Sequence, residues 1–351
     1  MANGLISKDV LELEELTVVV VVDNETDTLS SVDEGVPQVP EMVHRAARMP
    51  PLRRHEGHDC KQVFDDLCLA CHGLSVLLTG RRGGAERTML FDVGPYAEVW
   101  LDNARRLAID LARIEHVFLS HWHADHSAGF PKVIAAIAAA RAAAGLPRPV
   151  VDLHPQRPDQ RGILLPSGVM VMLAPEPTFD EIARSGGEIV KNDAPHSLCA
   201  GFFFGSGAIA RVTEYETGLA GHHSFHGERG APDPLIMDER FVAARVKGRG
   251  VSVFSACSHA GVINACLGAK AHFPETQVDL VLGGYHLSGK AMEPRIEPTV
   301  RDLDARIAPR LVAPGHCTGW RAKARLAGTF APGRYAPSVV GTMYRLSAPP
   351  T

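Results

Sequence analysis

Four potential metal ligands lie within six residues of one another in the segment from Ser120 to Ser127, which reads Ser-His-Trp-His-Ala-Asp-His-Ser. The apolar run before this segment predicts a buried strand that ends where the segment begins. In an extended backbone His121 and His123 point to the same side, about 7 Å apart at Cα, and Asp125 and His126 follow as the chain turns. The spacing therefore predicts a metal site at the C-terminal end of a strand, where α/β proteins bind their ligands.

A polar loop that is rich in histidine by chance is the alternative. The chain has 17 histidines among 351 residues, so one pair at i, i+2 is expected by accident. Three histidines and an aspartate in the order His-x-His-x-Asp-His at a strand end are not expected by accident, and we favour the metal site.

Three strands predicted in the last third of the chain also finish on histidines. They are predicted at 251–254, 278–282 and 311–313, and they lead to His259, His286 and His316, with Cys257 just before the first of these. Helices are predicted between the strands, and right-handed β-α-β crossovers would place all three strand ends on one edge of a sheet. These side chains can therefore face the same site as the first motif.

Together these groups are sufficient for two divalent metal ions. The candidate ligands are His121, His123, Asp125, His126, Cys257, His259 and His316. Imidazole and carboxylate with an optional thiolate suit Zn²⁺, and Fe or Mn would also be accommodated. For each late histidine the alternative is a hydrogen-bonded core residue, and for His286 the two interpretations stay balanced.

Strands and helices alternate over most of the chain and predict an α/β fold. Besides those above, strands are expected at 17–22, 73–80, 89–94, 150–154, 169–173 and 339–346, and helices at 97–107, 129–144, 261–272 and 299–307. We expect one domain in which two parts, about 17–175 and 240–346, each contribute a sheet with helices outside, an αββα sandwich.

Two regions fit this pattern poorly. A proline-containing polar insertion at about 26–62 interrupts the core, which spans about 17–346, and we expect it on the surface or in an oligomer contact. The middle region at about 176–240 is irregular, and its histidines at 222, 223 and 226 are interpreted as a solvated loop rather than a substrate-facing one.

Composition favours a small-molecule substrate. The net charge of −4 and the pI near 6.5 give no indication of binding to nucleic acid or to an anionic membrane. The first residues lack the basic segment of a secretory signal, and no apolar run approaches 18 residues. We therefore expect a cytoplasmic protein without a membrane partner.

The seven cysteines fit reduced thiols better than a disulfide framework. The C-x-x-C-H spacing at 68–72 matches covalent haem attachment, but that chemistry belongs to exported proteins. A structural zinc site is a further alternative, formed by Cys60, Cys68 and Cys71 with His55 or His58. Buried free thiols remain the default interpretation.

The pattern His-x-His-x-Asp-His resembles the signature of the metallo-β-lactamase-fold hydrolase superfamily. The segments at 73–75, 90–94, 255–261, 283–287 and 316–319 resemble, more narrowly, the branch that includes the archaeal 7,8-dihydropterin-6-methyl-4-(β-D-ribofuranosyl)aminobenzene-5′-phosphate synthases. The resemblance runs from about Val18 to Leu346. It implies a four-layer αββα sandwich in which the first two histidines of the motif bind one metal and the aspartate and last histidine bind a second.

The chain departs from the superfamily pattern at two places. The superfamily usually supplies a further histidine from a Pro-Gly-His turn, and the comparable region here reads Cys-Ala-Gly-Phe at 199–202. His259 is the predicted substitute, with His196 as the second choice. The superfamily's bridging ligand is commonly an aspartate, and Cys257 stands in that position.

The leading functional hypothesis is a metal-dependent hydrolase in which a hydroxide activated by two metals attacks an ester, phosphoester or activated ether-type bond. Asp125 would hold one metal and orient the nucleophile, and His286 would bind the substrate or donate a proton to the leaving group. A pterin-type synthase is the second hypothesis, for which Arg211 and Arg321 are the candidate phosphate-binding residues. A non-catalytic di-iron sensor protein is the third.

Overall fold

Two mixed β-sheets form the centre of the fold and pack against each other through a shared apolar core. The structure is a computed structural model that describes residues 9–349. Its strands, in chain order, are β1 (Glu12–Leu13), β2 (Glu15–Val22), β3 (Gln38–Val39), β4 (Arg53–His55), β5 (His58–Cys60), β6 (Ser75–Arg82), β7 (Ala85–Phe91), β8 (Ile114–Phe118), β9 (Val150–Leu153), β10 (Gln160–Leu164), β11 (Met170–Met172), β12 (Glu188–Lys191), β13 (His196–Leu198), β14 (Phe203–Gly205), β15 (His222–His226), β16 (Arg229–Pro232), β17 (Val242–Val246), β18 (Gly250–Ser255), β19 (Val278–Gly284), β20 (Leu311–Gly315) and β21 (Met343–Ser347).

The α-helices lie mainly on the outer faces of the two sheets. In chain order they are α1 (Glu41–Arg48), α2 (Ala97–Arg106), α3 (Ala124–Ser127), α4 (Phe130–Ala143), α5 (Phe179–Arg184), α6 (Val262–His272), α7 (Ile296–Asp302) and α8 (Trp320–Phe330). Helices α2 and α4 cover the first sheet, and α6, α7 and α8 cover the second. No helix within residues 9–349 is both long enough and apolar enough to cross a membrane.

The first sheet has the strand order β12-β9-β8-β7-β6-β2-β21-β3, and the second has β13-β14-β17-β18-β19-β20 with β1 paired to β17. Strand β2 illustrates how the sequence builds two cores. Its alternate residues Leu16 and Val18 face the second sheet, whereas Val19 and Val21 face the outer helices. Successive side chains of a strand point to opposite faces, so a strand that is buried on both faces needs apolar residues at consecutive positions, as β2 has. The predicted αββα sandwich is confirmed.

The division of the chain between the sheets differs from the expected one. Strand β21, at the end of the chain, pairs antiparallel with β2 in the first sheet and does not join the second, while β1 near the beginning joins the second sheet. Strand β2 would otherwise leave one edge without hydrogen bonds, and β21 supplies them. The predicted strand at 169–173 is also placed differently, because β11 belongs to a small sheet of order β11-β10-β15-β16.

The two irregular regions contain short elements. The segment 26–62 holds α1, the small strand β3 at the edge of the first sheet, and the separate hairpin β4-β5. The segment 176–240 contributes β12 to the first sheet, β13 and β14 to the second, and β15 and β16 to the small sheet. An oligomer contact through 26–62 stays a prediction.

Arg240 connects the ends of neighbouring strands beneath the histidine motif. Its guanidinium is fully buried and donates to Asp152 Oδ1 at 2.7 Å and to the carbonyl of Leu119 at 2.7 Å. The main-chain N–H of Arg240 also donates to the carbonyl of Ser120 at 2.9 Å. Through its side chain and its main chain, Arg240 therefore anchors the segment that follows β8.

We expect Arg240→Met to lower the free energy of unfolding by about 3–5 kcal/mol, because the buried carboxylate of Asp152 would lose its charged partner. Urea denaturation would measure the change. Arg325→Met is the matched control, since the ion pair of Arg325 with Glu297 is exposed and screened by solvent, and its cost should be much smaller than that of Arg240→Met. Equal costs for the two variants would contradict this role of Arg240.

Candidate metal centre

Asp92, which follows β7, anchors the histidine motif. Its carboxylate accepts hydrogen bonds from the main-chain N–H and the hydroxyl of Ser120, both at 2.7 Å, and from Nδ1 of His126 at 2.8 Å. The Ser120 hydroxyl uses its single proton on Asp92, so it accepts the N–H at Nδ1 of His121, 2.8 Å away. Nε2 of His121 is thereby left without a proton, and it points into the site together with Nε2 of His126.

His123 is held in the opposite tautomer by His222 on β15. Nδ1 of His222 lies 2.7 Å from the carbonyl of Asp233, and because a carbonyl only accepts, this nitrogen carries the proton. Nε2 of His222 is therefore an acceptor, and it takes the N–H at Nε2 of His123 at 2.9 Å. Nδ1 of His123 is left without a proton and points into the site.

Asn24 orients His316, which follows β20. The side-chain oxygen of Asn24 accepts from the main-chain N–H of Gly73 at 3.1 Å and from Nδ1 of His316 at 2.9 Å. Nε2 of His316 is consequently directed into the site. It lies 3.2 Å from Sγ of Cys257 and 3.3 Å from Oδ2 of Asp125.

Two of these nitrogens meet in the site. Nε2 of His121 and Nδ1 of His123, both without protons, are 2.9 Å apart. Nε2 of His259 is 3.1 Å from the same Nδ1, and no partner at Nδ1 of His259 fixes the tautomer of that ring. Two lone pairs cannot form a hydrogen bond with each other. Burial, together with neighbouring imidazoles, lowers the pKa of His121 and of His123 well below the ordinary value. Protonation of one ring, which would let the two nitrogens form a hydrogen bond, is therefore unfavourable. A bound cation would satisfy these nitrogens, and this fits a metal centre.

The candidate ligands form two groups that share one sulfur. The first comprises His121, Cys257 and His259, and the second comprises Asp125, His126, Cys257 and His316; in each group the ligand atoms lie within 4.8 Å of one another. His123 joins the first group through its short contact with His121. All seven predicted metal ligands are thus brought to one place, and their metal-binding roles stay predictions.

The surrounding charges favour cations. Burial opposes the charge on Asp125, but His126, His316 and His72 outweigh it and hold the pKa of this carboxyl well below its usual value. Burial likewise opposes a charge on His126, yet the carboxylates of Asp125 and Asp92 raise its pKa to about 9. A site that stabilises positive charge on an imidazole in this way also stabilises a metal ion.

A cavity of about 660 Å³ opens above the ligands. Asp125, Cys257 and His286 lie on its lining, and the ring centroid of His286 is 4.3 Å from that of His259. The exposed rings of Tyr96 and Trp320 flank it. Among the described residues that line it there is no lysine or arginine.

Several side chains are placed differently from the sequence predictions. His222 is 1 % exposed and contacts His123, so the solvated-loop interpretation is wrong for it, although His226 is exposed. His196, the second choice for a ligand, instead lies 2.9 Å from Asp152. The cysteines at 60, 68 and 71 are in none of the ligand groups formed by residues 9–349.

The two arginines predicted to bind phosphate do not line the cavity. Arg211 donates to the carbonyl of His259 at 3.1 Å, and Arg321 pairs with Glu293 at 3.3 Å. Both guanidinium groups therefore have structural partners outside the cavity.

Sequence reasoning missed Asn24, Asp92, His72, His222 and Cys317. His72, whose Nε2 lies 3.3 Å from Oδ2 of Asp125, was visible only as part of the C-x-x-C-H spacing. Asn24 lies just beyond the predicted strand at 17–22, and Asp92 lies within the predicted strand at 89–94 and the resembling segment 90–94, but neither position indicated a role in orienting a ligand. Cys317 adjoins His316 and was visible as a thiol next to a predicted ligand.

Comparison with known proteins agrees with this geometry. The sequence model of the metallo-β-lactamase superfamily matches residues 69–191. A 7,8-dihydropterin-6-methyl-4-(β-D-ribofuranosyl)-aminobenzene-5′-phosphate synthase of Methanocaldococcus jannaschii is 26% identical over 266 residues, which cover 72% of this chain and 82% of the synthase. The crystal structure of Tm1679, described as a metal-dependent hydrolase of the β-lactamase superfamily, superposes with a TM-score of 0.65 at 21% identity, over 95% of this chain and 99% of Tm1679.

The fold is that of the metallo-β-lactamase superfamily, and the resemblance drawn from the sequence is confirmed. The archaeal synthase is a relative with a named activity, which agrees with the narrower resemblance.

We expect His222→Phe to weaken zinc binding by about 10- to 100-fold, because His123 would lose the acceptor that fixes its tautomer. Titration against a chromophoric chelator would measure the affinity. His226→Phe is the matched control, since His226 lies on the same strand with an exposed side chain, and it should bind zinc as the unmodified protein does. An unchanged affinity in His222→Phe would show that His222 does not position His123.

Proposed function

We propose that this protein is a metal-dependent hydrolase that holds two divalent cations, with zinc as the natural ion, and acts on a small organic substrate. The observation that carries the proposal is the 2.9 Å contact between two imidazole nitrogens whose rings donate from their opposite nitrogens. Divalent cations held there would supply a hydroxide nucleophile at neutral pH, because a metal lowers the pKa of water towards about 7, and would polarise the bond that is attacked.

The donor atoms are those that zinc prefers. His121, His123 and His259 would hold one cation, and Asp125, His126 and His316 the other, with the sulfur of Cys257 between them. In four of the five imidazoles, the ring nitrogen that faces away from the site donates its N–H to a fixed acceptor, as in metal-binding histidines. His259 differs, because its Nδ1 is buried without a hydrogen-bond partner.

The chain's own groups would orient the substrate and keep water away from it. Asp125 presents an ionised carboxylate on the cavity floor, where its side chain is 20% exposed and can accept a hydrogen bond. Ile163 and Leu219 provide apolar walls, and the rings of Tyr96 and Trp320 can pack against a flat substrate. These groups would place the scissile bond above the ligands.

The cavity's charge favours uncharged substrates. Of the described residues on its lining, Glu25 and Asp125 are acidic, and none is a lysine or an arginine, so its basic groups are the histidines at the ligand groups. A phosphate group would therefore find its counter-charge only at the metal centre. We accordingly favour esters and lactones over phosphoesters within the proposed substrate class.

A pterin-type synthase is the second candidate, and the match to the archaeal synthase favours it. The flanking rings of Tyr96 and Trp320 would suit a flat heterocycle. The position of Arg211 and Arg321 outside the cavity does not favour recognition of a substrate phosphate.

A substrate panel tests the proposal. Zinc-loaded protein would be assayed with lactones, aryl esters and phosphodiesters, and with a pterin plus a ribosylated aromatic amine, each with and without chelator. We expect turnover of esters or lactones that disappears with chelator and returns with zinc. Activity that survives chelation would contradict the metal-dependent mechanism, and product formation only from a pterin and a ribosylated aromatic amine would favour the synthase.

Replacement of Asp125 distinguishes catalysis from metal storage. We expect Asp125→Asn to lower kcat/KM by about 100-fold or more while metal content falls much less, because the substitution keeps the size of the side chain and removes its charge. His121→Ala should lose metal and activity together, since it deletes a ligand outright. Metal analysis and steady-state kinetics on the same samples would measure both quantities. Near-full turnover by Asp125→Asn would contradict the proposed mechanism.

A further inference from the structure

A third group of potential ligands lies beside the two already described. The sulfurs of Cys257 and Cys317 and a ring nitrogen of His286 lie within 4.8 Å of one another. All three side chains line the cavity. The proposed two-metal centre uses Cys257 and leaves the other two side chains without a role.

The fold brings the two sulfurs together across an intervening strand. Cys257 follows β18 and Cys317 follows β20, and β19 runs between them, parallel to both. Gly284 at the end of β19 permits the approach, because a Cβ at this position would lie 2.6 Å from Sγ of Cys317. The glycine thus leaves room for a thiol above the end of the strand.

This arrangement suits a metal better than a disulfide. Both cysteines are free thiols, and their sulfurs and a ring nitrogen of His286 lie within 4.8 Å of one another. A zinc ion with bonds of about 2.3 Å to each sulfur would span the two thiols without movement of the strands.

The imidazole of His286 supports the same assignment. Its Nδ1 is buried and has no hydrogen-bond partner. The sulfur of Cys317 contacts the side chains of Cys257 and His286 and lies 3.4 Å from the carbonyl of Cys257. A buried polar nitrogen without a partner is costly unless something binds it.

We propose that Cys257, His286 and Cys317 bind an additional thiophilic cation, of the class of Zn²⁺, Cd²⁺ or Cu⁺, next to the two-metal centre. Two thiolates and an imidazole form a soft donor set that selects such ions over Mg²⁺ or Ca²⁺. The three protein ligands leave a fourth position directed at the cavity, which a substrate atom can occupy. This assignment replaces the proton-donor role predicted for His286, and it rests on the proposed function only in that Cys257 is shared.

Cadmium titration of the metal-free protein tests the site. Bound Cd²⁺ would be counted by elemental analysis after gel filtration, and thiolate bonds would be followed by their ultraviolet charge-transfer absorption. We expect about three Cd²⁺ per chain in the unmodified protein and about two in Cys317→Ser, with weaker charge-transfer absorption. Cys60→Ser is the matched control, because Cys60 lies in the separate hairpin β4-β5, and it should match the unmodified protein.

The outcomes separate this site from the two-metal centre. An equal cadmium count in the unmodified protein and in Cys317→Ser would overturn the additional site and leave the proposed function standing. A single Cd²⁺ that is lost in Cys317→Ser would support the additional site and contradict the two-metal centre. Circular dichroism would verify folding, and His286→Gln, with the same expected loss of one ion, serves where Cys317→Ser does not fold.

Discussion

Imidazole lone pairs held in contact are the constraint on which this structure depends. Nε2 of His121 and Nδ1 of His123 face each other at 2.9 Å, and neither carries a proton. The folded chain maintains this unfavourable contact because the opposite ring nitrogens donate hydrogen bonds, to Ser120 on one side and to His222 on the other. Because the cost would disappear when a cation binds, metal binding and folding stability are expected to be coupled.

Buried carboxylates hold the loops that carry the ligands. The main-chain N–H groups of Trp122, His259 and His316 donate to Asp238, Glu239 and Asp23 at 2.7, 2.8 and 2.9 Å, respectively. Burial raises the pKa of Glu239 to about 7, although two main-chain N–H groups oppose this shift. These acidic groups fix the loops and also surround the centre with negative potential, which favours bound cations.

Local pattern and topology made the ligands predictable from sequence. The spacing of His121, His123 and Asp125 is visible within a few residues, and His259 and His316 follow recognisable strands. Parallel strands joined by right-handed crossovers must end at one edge of the sheet. The sequence alone therefore predicted that these distant side chains lie close together. The sandwich followed from the same alternation of strands and helices.

The residues that fix the ligand tautomers could not be predicted in this way. His222 is separated from His123 by 99 positions, and Asn24 from His316 by 292. No periodic sequence pattern connects residues that are so far apart in the chain. The region around His222 also lacks the alternation of strands and helices that is seen in the core. The pairing of β21 with β2 was missed for a similar reason, because a strand pattern indicates which face is buried but not which edge the strand joins.

Anomalous diffraction at the zinc edge, from crystals grown with zinc, tests the central claim most directly. The account predicts one peak at about 2.0–2.2 Å from both Nε2 of His121 and Nδ1 of His123, and another at the same distance from Oδ2 of Asp125. The absence of a peak at these nitrogens, in crystals that bind zinc elsewhere, would contradict it.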